Sequence, residues 1–300
     1  EVVQDNRMPR EALPTELQAK PAAWQGLLPE MGMTALVRNL GNLTRHEIFK
    51  GKDGKHYLSM VVDRLTNPVD IERSRIHPLQ ILVADRTYRQ GHGQRGNNSW
   101  VPNPAILQAL GEAFTASFQN VPPTGRKYLM GVDVSGSMSG SMAVGVENLS
   151  AAEAAAIQAL VFMKAEKPGD VHCVAFDTEI KSLPMDPSWT MDYTVKEIQR
   201  LTGGGTDCAQ PILYAAARKV EVDCFVILTD SQTWQGQTHP EVALDAYNQN
   251  MGRQAKLVVV AMCSNQRSLA NPQHPGMLNV IGFDTFTPQL IQEFAAGRIG

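Results

Sequence analysis

The sequence predicts an α/β fold, a doubly wound parallel sheet, preceded by an all-α segment. Three observations carry this. From residue 125 onward apolar runs alternate regularly with segments of helical spacing. Two of those runs, Phe225-Val226-Ile227-Leu228 and Val258-Val259-Val260, are apolar at every position, as parallel strands covered on both faces must be. Residues 1–124 show helical spacing and no strand alternation of any length. The expected division is therefore 1–124 and 125–300.

In the first part, helices are expected over 11–18, 22–30 and 34–43, punctuated by Pro9, Pro14, Pro21, Pro29 and Gly41. Leu36, Val37, Leu40 and Leu43 share one helical face. A Gly/Lys-rich loop, 50–55, leads to an amphipathic helix carrying Leu58, Val61, Val62 and Leu65, which stops near Asn67-Pro68. Further helices are expected over 76–89, with Ile81, Leu82 and Tyr88 inward, and over 104–118. Successive helices of this kind build α-solenoids, although no clean internal repeat is present.

In the second part, strands are expected at 127–132, 171–176, 223–229 and 256–262, with extras at 179–183 and 278–281. Helices fall between them at 150–164, 192–201, 208–219, 240–251 and 288–296. Ser150…Glu153 and Thr194…Glu197 both match the capping-box pattern. The helix after Ser150 is apolar on nearly every side and should be buried on both faces.

Ligands of such sheets sit beyond the carboxyl ends of the strands. That rule selects Asp133-Val134-Ser135-Gly136-Ser137, the loop Gly203-Gly204-Gly205-Thr206-Asp207, and Thr229-Asp230. A carboxylate and two hydroxyls at alternate positions offer hard oxygen ligands, suited to Mg²⁺ or Mn²⁺ rather than zinc or copper; a bare turn with a helix cap would use the same residues. Thr206 adds a fourth oxygen and Asp230 a second carboxylate. Two carboxylates neutralise a divalent ion without surplus, so the ion would still attract one anionic oxygen at an open position. A Ca²⁺ store would use more carboxylates.

A net charge of −3 argues against a strongly nucleic-acid-binding surface over the whole chain, but the charge is uneven. Residues 36–95 hold 11 Lys and Arg against 6 Asp and Glu. The run Arg73, Arg75, His77, Arg86, Arg89, His92, Arg95 is either a solvated helix face or a phosphate-binding surface. Cys173, Cys208, Cys224 and Cys263 lack metal-ligand spacing and read as buried free thiols of a reducing cytoplasm. The longest apolar run, 257–263, is far too short to span a bilayer, so no membrane partner is expected. The chain opens at Glu1 in mid-pattern, which suggests one part of a longer protein or a processed piece.

Asp133-x-Ser135-x-Ser137, Thr206 within GGGTD and Asp230 at a strand end resemble the metal-ion-dependent adhesion site of von Willebrand factor A domains. More narrowly, the chain resembles the carboxyl-terminal part of the Ro autoantigen family, ring proteins with a TROVE module, and bacterial members in particular. The carrying stretches are Met33–Gly41, Arg75-Ile-His-Pro78, Tyr88-x-x-Gly-His-Gly-x-Arg-Gly96, Gly204-Gly-Thr-Asp-Cys208, Thr233-Trp-x-Gly236 and Gly282-Phe-Asp284. The resemblance implies a HEAT-like helical ring closed by an A domain. It implies binding of noncoding Y RNA and of misfolded or single-stranded RNA 3′ ends, in RNA quality control alongside a 3′ exoribonuclease. It places a divalent cation, Mg²⁺ before Mn²⁺ or Ca²⁺, on Asp133, Ser135, Ser137, Thr206 and Asp230. A missing amino-terminal ring segment or a second chain would complete the ring. Assignment of Arg75, Arg86, Arg89 and Arg95 to RNA rests on charge, not on a motif.

The predicted protein is not an enzyme: a hydrolase built on Asp133 and Asp230 would lack a DxD nucleophile pattern and a phosphate-binding GxxxxGK[ST] loop. His239, just before Pro240, reads as a helix start rather than a general base. The competing reading is a metal-dependent protein-adhesion module without RNA binding of its own.

Overall fold

A computed structural model describes residues 16, 19–93, 98–143, 149–230, 236–263 and 269–299. The chain divides into two compact units, Glu1–Val121 and Pro122–Gly300. The expected helix over 11–18 lies almost wholly outside the described residues.

The first unit is helical. Its elements are α1 (Pro21–Leu27, continued by a 3₁₀ turn Leu28–Glu30), α2 (Met33–Arg45), α3 (Gly54–Thr66), α4 (Pro68–Ser74), α5 (Pro78–Gln90) and α6 (Pro104–Ala116, followed by a 3₁₀ turn Ser117–Asn120). Leu36, Val37, Leu40 and Leu43 all face inward, as their spacing requires. One expectation holds but is incomplete, and one needs correction. Asn67-Pro68 ends α3 but also starts α4: the Asn67 side chain accepts from Val69 N at 3.0 Å, and proline fits the first helical position. The helix expected from Ile76 begins at Pro78, because His77 caps it, with Nδ1 accepting from Leu79 N and Gln80 Oε1 accepting from His77 N. Tyr88 ties the unit together. Its hydroxyl bonds Thr44 Oγ1 at 2.8 Å and accepts from Asn103 N at 3.0 Å, and its carbonyl accepts from Trp100 Nε1 at 2.9 Å.

The second unit is a six-stranded sheet, β1 (Tyr128–Asp133), β2 (Val171–Phe176), β3 (Ile180–Lys181), β4 (Cys224–Thr229), β5 (Lys256–Ala261) and β6 (Met277–Ile281), in the order β3-β2-β1-β4-β5-β6. All neighbours are parallel except the short edge strand β3, which runs against β2. The helices are α7 (Gly136–Gly140), α8 (Ala151–Ala165), α9 (Met191–Gln199), α10 (Gln210–Arg218), α11 (Pro240–Met251) and α12 (Thr287–Ala295). On one face Leu129, Phe225, Ile227, Leu257 and Val259 pack with Ile212 of α10 and Leu244 and Tyr247 of α11. The alternate residues turn to α8, where Tyr128 meets Phe162 edge-on at 5.1 Å between ring centres. Both faces being covered is why β1 and β4 are buried at every position.

The Ser150 capping box forms as its spacing predicts. The Thr194 box does not: Thr190 caps α9, and Thr194 sits one turn inside it, donating to the Thr190 carbonyl at 2.8 Å. A threonine in a first turn can satisfy that carbonyl as readily as it can cap. The turn expected between Asp133 and α8 contains the short helix α7. Cys208 and Cys224 are buried free thiols, whereas Cys173 and Cys263 are only half-buried. His239 caps α11, accepting from Glu241 N at 3.3 Å.

Candidate metal centre

Parallel pairing puts the carboxyl ends of β1, β2 and β4 side by side; Asp133–Ser137 and Thr229-Asp230 sit at two of those ends, and the glycine loop between α9 and α10 reaches the same end. Asp133, the last residue of β1, is wholly buried. Its Oδ1 accepts from Ser135 N at 2.8 Å and its Oδ2 from Thr229 Oγ1 at 2.6 Å. Those two bonds fix the carboxylate plane. Ser135 Oγ and Ser137 Oγ lie 3.2 Å apart, so both hydroxyls share one side of the loop.

The glycine loop is tied to this turn by two backbone bonds, Gly203 N to Val134 O at 2.8 Å and Gly136 N to Gly204 O at 3.2 Å. Gly204 has φ +83°, and a Cβ there would collide with the Asp177 carboxylate. Only glycine meets both demands at once. Asp177 is itself held by Lys181 at 2.7 Å, and its carbonyl accepts from Asp207 N at 2.8 Å. Asp207 then caps the approach to α10, taking Ala209 N at 3.1 Å. This chain of contacts places Thr206, which is 1% exposed and whose Oγ1 has no hydrogen-bond partner among the described residues. Asp230 follows Thr229 directly and is also wholly buried.

The structure thus gathers Asp133, Ser135, Ser137, Thr206 and Asp230 at one end of the sheet. Burial pushes the Asp133 carboxyl up to about 6, helped by the nearby Asp230 charge and opposed by the Thr229 and Ser135 hydrogen bonds. A buried hydroxyl without a partner beside costly buried carboxylates is what a cation removes, and an all-oxygen set suits a hard divalent ion. The residues fit such an ion. Among the described residues no group of three or more His, Cys, Asp or Glu forms a metal cluster.

Sequence reasoning did not assign Thr229 or Asp177 a role. Thr229 was visible as a hydroxyl before a strand-end Asp, but its bond to Asp133 spans 96 residues. Nothing local signals Asp177 against Gly204.

The basic residues of the first unit are placed differently. Arg75 is an exposed C-cap in left-handed conformation, φ 52°. Arg86 turns inward, with Nε and Nη2 buried and without partners among the described residues. Arg89 pairs with buried Asp85 at 3.1 Å. Arg95 lies outside the described residues.

The family model described as the Ro60 vWA domain matches residues 127–295, and the TROVE domain model matches 6–87. This chain belongs to the Ro60 family. It is 41% identical over 298 residues to the RNA-binding protein RO60 of Deinococcus radiodurans, covering 99% of this chain and 55% of that protein. It is 38% identical over 292 residues to the RNA-binding protein RO60 of Caenorhabditis elegans, covering 97% of this chain and 44% of that one. The chain therefore spans about half the length of the curated relatives it matches. The crystal structure of the Deinococcus radiodurans RO (RSR) protein matches with a TM-score of 0.90 at 39% identity, over 99% of this chain and 59% of that one. Among the described residues no helix is long and apolar enough to cross a membrane.

Proposed function

We propose that this Ro60-family chain is part of a cytoplasmic, nonenzymatic RNA-binding ring protein whose A domain carries a divalent-metal site for a partner. Y-type RNA and misfolded RNA 3′ ends are its proposed ligands, with a 3′ exoribonuclease as a working partner in RNA quality control. The observation that carries the RNA reading is the 41% identity across nearly the whole chain to a protein named for RNA binding. Arg75 is exposed and so able to meet a phosphate.

In the A domain, Asp133, Ser135, Ser137, Thr206 and Asp230 would hold Mg²⁺, directly or through water. When bound, the ion supplies a Lewis-acidic position for one carboxylate or phosphate oxygen of a partner. The chain's own residues prepare that position. Thr229 and the Ser135 amide orient Asp133, while the Asp177–Lys181 pair and Gly204 hold the Thr206 loop close.

Filter binding of a single-stranded RNA with a free 3′ tail tests the RNA reading. Affinity should fall with salt at a slope of about −0.7 per phosphate neutralised. Binding that is absent or salt-independent would favour the adhesion reading. The inward turn of Arg86 and the pairing of Arg89 are the observations on that side.

A further inference from the structure

The second unit has a cavity at the end of the sheet opposite the metal centre. It lies where β1, β4 and β5 begin and where α11 and α12 end. Six-residue strands separate the two ends by about 20 Å. The cavity is open to solvent on one side and has a volume of about 490 Å³, and its charged lining is Arg126, Arg253, Lys256 and Asp223.

Three cations face one carboxylate, an excess of two positive charges. Two of the cations are held in place. Arg253 pairs with Asp223 at 2.8 Å and with Glu221 at 3.3 Å. Lys256 Nζ donates to the Phe294 carbonyl at 2.6 Å and lies 4.6 Å from the Phe294 ring centre. Glu221 is shared with Lys127, so it does not cancel the excess.

A structural purpose explains part of this cluster. Carbonyl ends of helices favour nearby cations, and Lys256 answers that of α12. Arg126 has no such duty: its guanidinium makes no ion pair or hydrogen bond among the described residues, and the residue is exposed at the cavity rim. Two fixed cations and one uncommitted planar fork suit a dianion with several oxygens, and the volume falls in the range of small-ligand sites.

We infer that this cavity is a binding site for a phosphate monoester, with Arg126 closing on the phosphate from the rim over Arg253 and Lys256. The inference is independent of the RNA and metal readings and stands or falls without them.

The test is calorimetric titration of the full chain with AMP in EDTA, which keeps phosphate from a metal-loaded centre. AMP should bind, inorganic phosphate should compete, and adenosine should not bind. Arg126→Ala should weaken AMP about tenfold or more, and Arg126→Lys by less. Circular dichroism should be unchanged in both, since the Arg126 guanidinium holds no other part of the fold. Absence of binding by AMP and phosphate at millimolar concentration would overturn the inference. So would equal binding by Arg126→Ala, or adenosine binding as well as AMP. A 5′-phosphorylated oligoadenylate set against its 5′-hydroxyl twin separates the sources of the monoester. A phosphate-dependent gain over AMP identifies an RNA end, and parity with AMP identifies a free nucleotide.

Discussion

Asp133→Asn should make the metal-free chain more stable at neutral pH while removing its response to Mg²⁺. The Asp133 carboxyl is wholly buried, and burial raises it from 3.8 to about 6. A carboxyl raised on folding contributes stability that is fully present below its unfolded value and is lost as pH rises through the folded one. A rise of that size corresponds to about 3 kcal/mol lost between about pH 4 and pH 7. Asparagine keeps the shape but carries no charge. It can accept from Thr229 Oγ1 or from Ser135 N through its one oxygen, not from each through a separate oxygen, which costs about 1 kcal/mol. The variant should therefore exceed the wild type by about 2 kcal/mol at pH 8 in EDTA and fall below it near pH 4. Hydrogen exchange of peptides from β1 and β4 across a urea series reads this unit directly. Adding Mg²⁺ at a hundredfold over its dissociation constant should stabilise the wild type by about 2.7 kcal/mol and the variant not at all. A variant less stable at pH 8 in EDTA, or a gap independent of pH, would refute the claim that burial destabilises this carboxylate. A Mg²⁺ response retained by the variant would remove Asp133 from the ligand set.

His77 gives a second pH dependence, of opposite sense. Burial holds its imidazole down at about 4, so stability is full above about 6.5 and falls by at most about 3 kcal/mol as pH drops toward 4. His77→Asn keeps the cap on α5 and should flatten that part of the unfolding profile of the first unit. Gln158, wholly buried in α8, has neither side-chain polar atom hydrogen-bonded among the described residues. Gln158→Met should stabilise the second unit by about 1–3 kcal/mol in chemical denaturation, and a loss would mean that the amide has a solvent partner. Glycine to alanine within a helix ordinarily stabilises by about 1 kcal/mol, but at Gly41 a Cβ would stand 2.6 Å from Trp100 Cη2. Gly41→Ala should instead cost about 1–3 kcal/mol, measurable as a lowered thermal midpoint.

Local physics wrote much of this fold into the sequence. The runs around Phe225–Leu228 and Val258–Val260 specify buried parallel strands because every side chain is apolar, whichever neighbours they meet. Ser150 and His239 announce helix starts because a cap bonds backbone only two or three residues away. The same local logic failed where two outcomes share one pattern. Proline after Asn67 marked a stop and was also a start, and Thr194 looked like a cap while bonding inward.

The centre itself divides in the same way. Its oxygen-bearing residues could be picked from the sequence because strand ends are where ligands gather in such sheets. Only the tertiary structure brought Thr229 onto Asp133 and set Asp177 against Gly204. It alone turned Arg86 inward and collected Arg126, Arg253 and Lys256 around one cavity. In the sheet unit those contacts join residues tens of positions apart, and they depend on how the parallel strands register. Composition and period describe what each segment prefers, and strand order decides which segments meet.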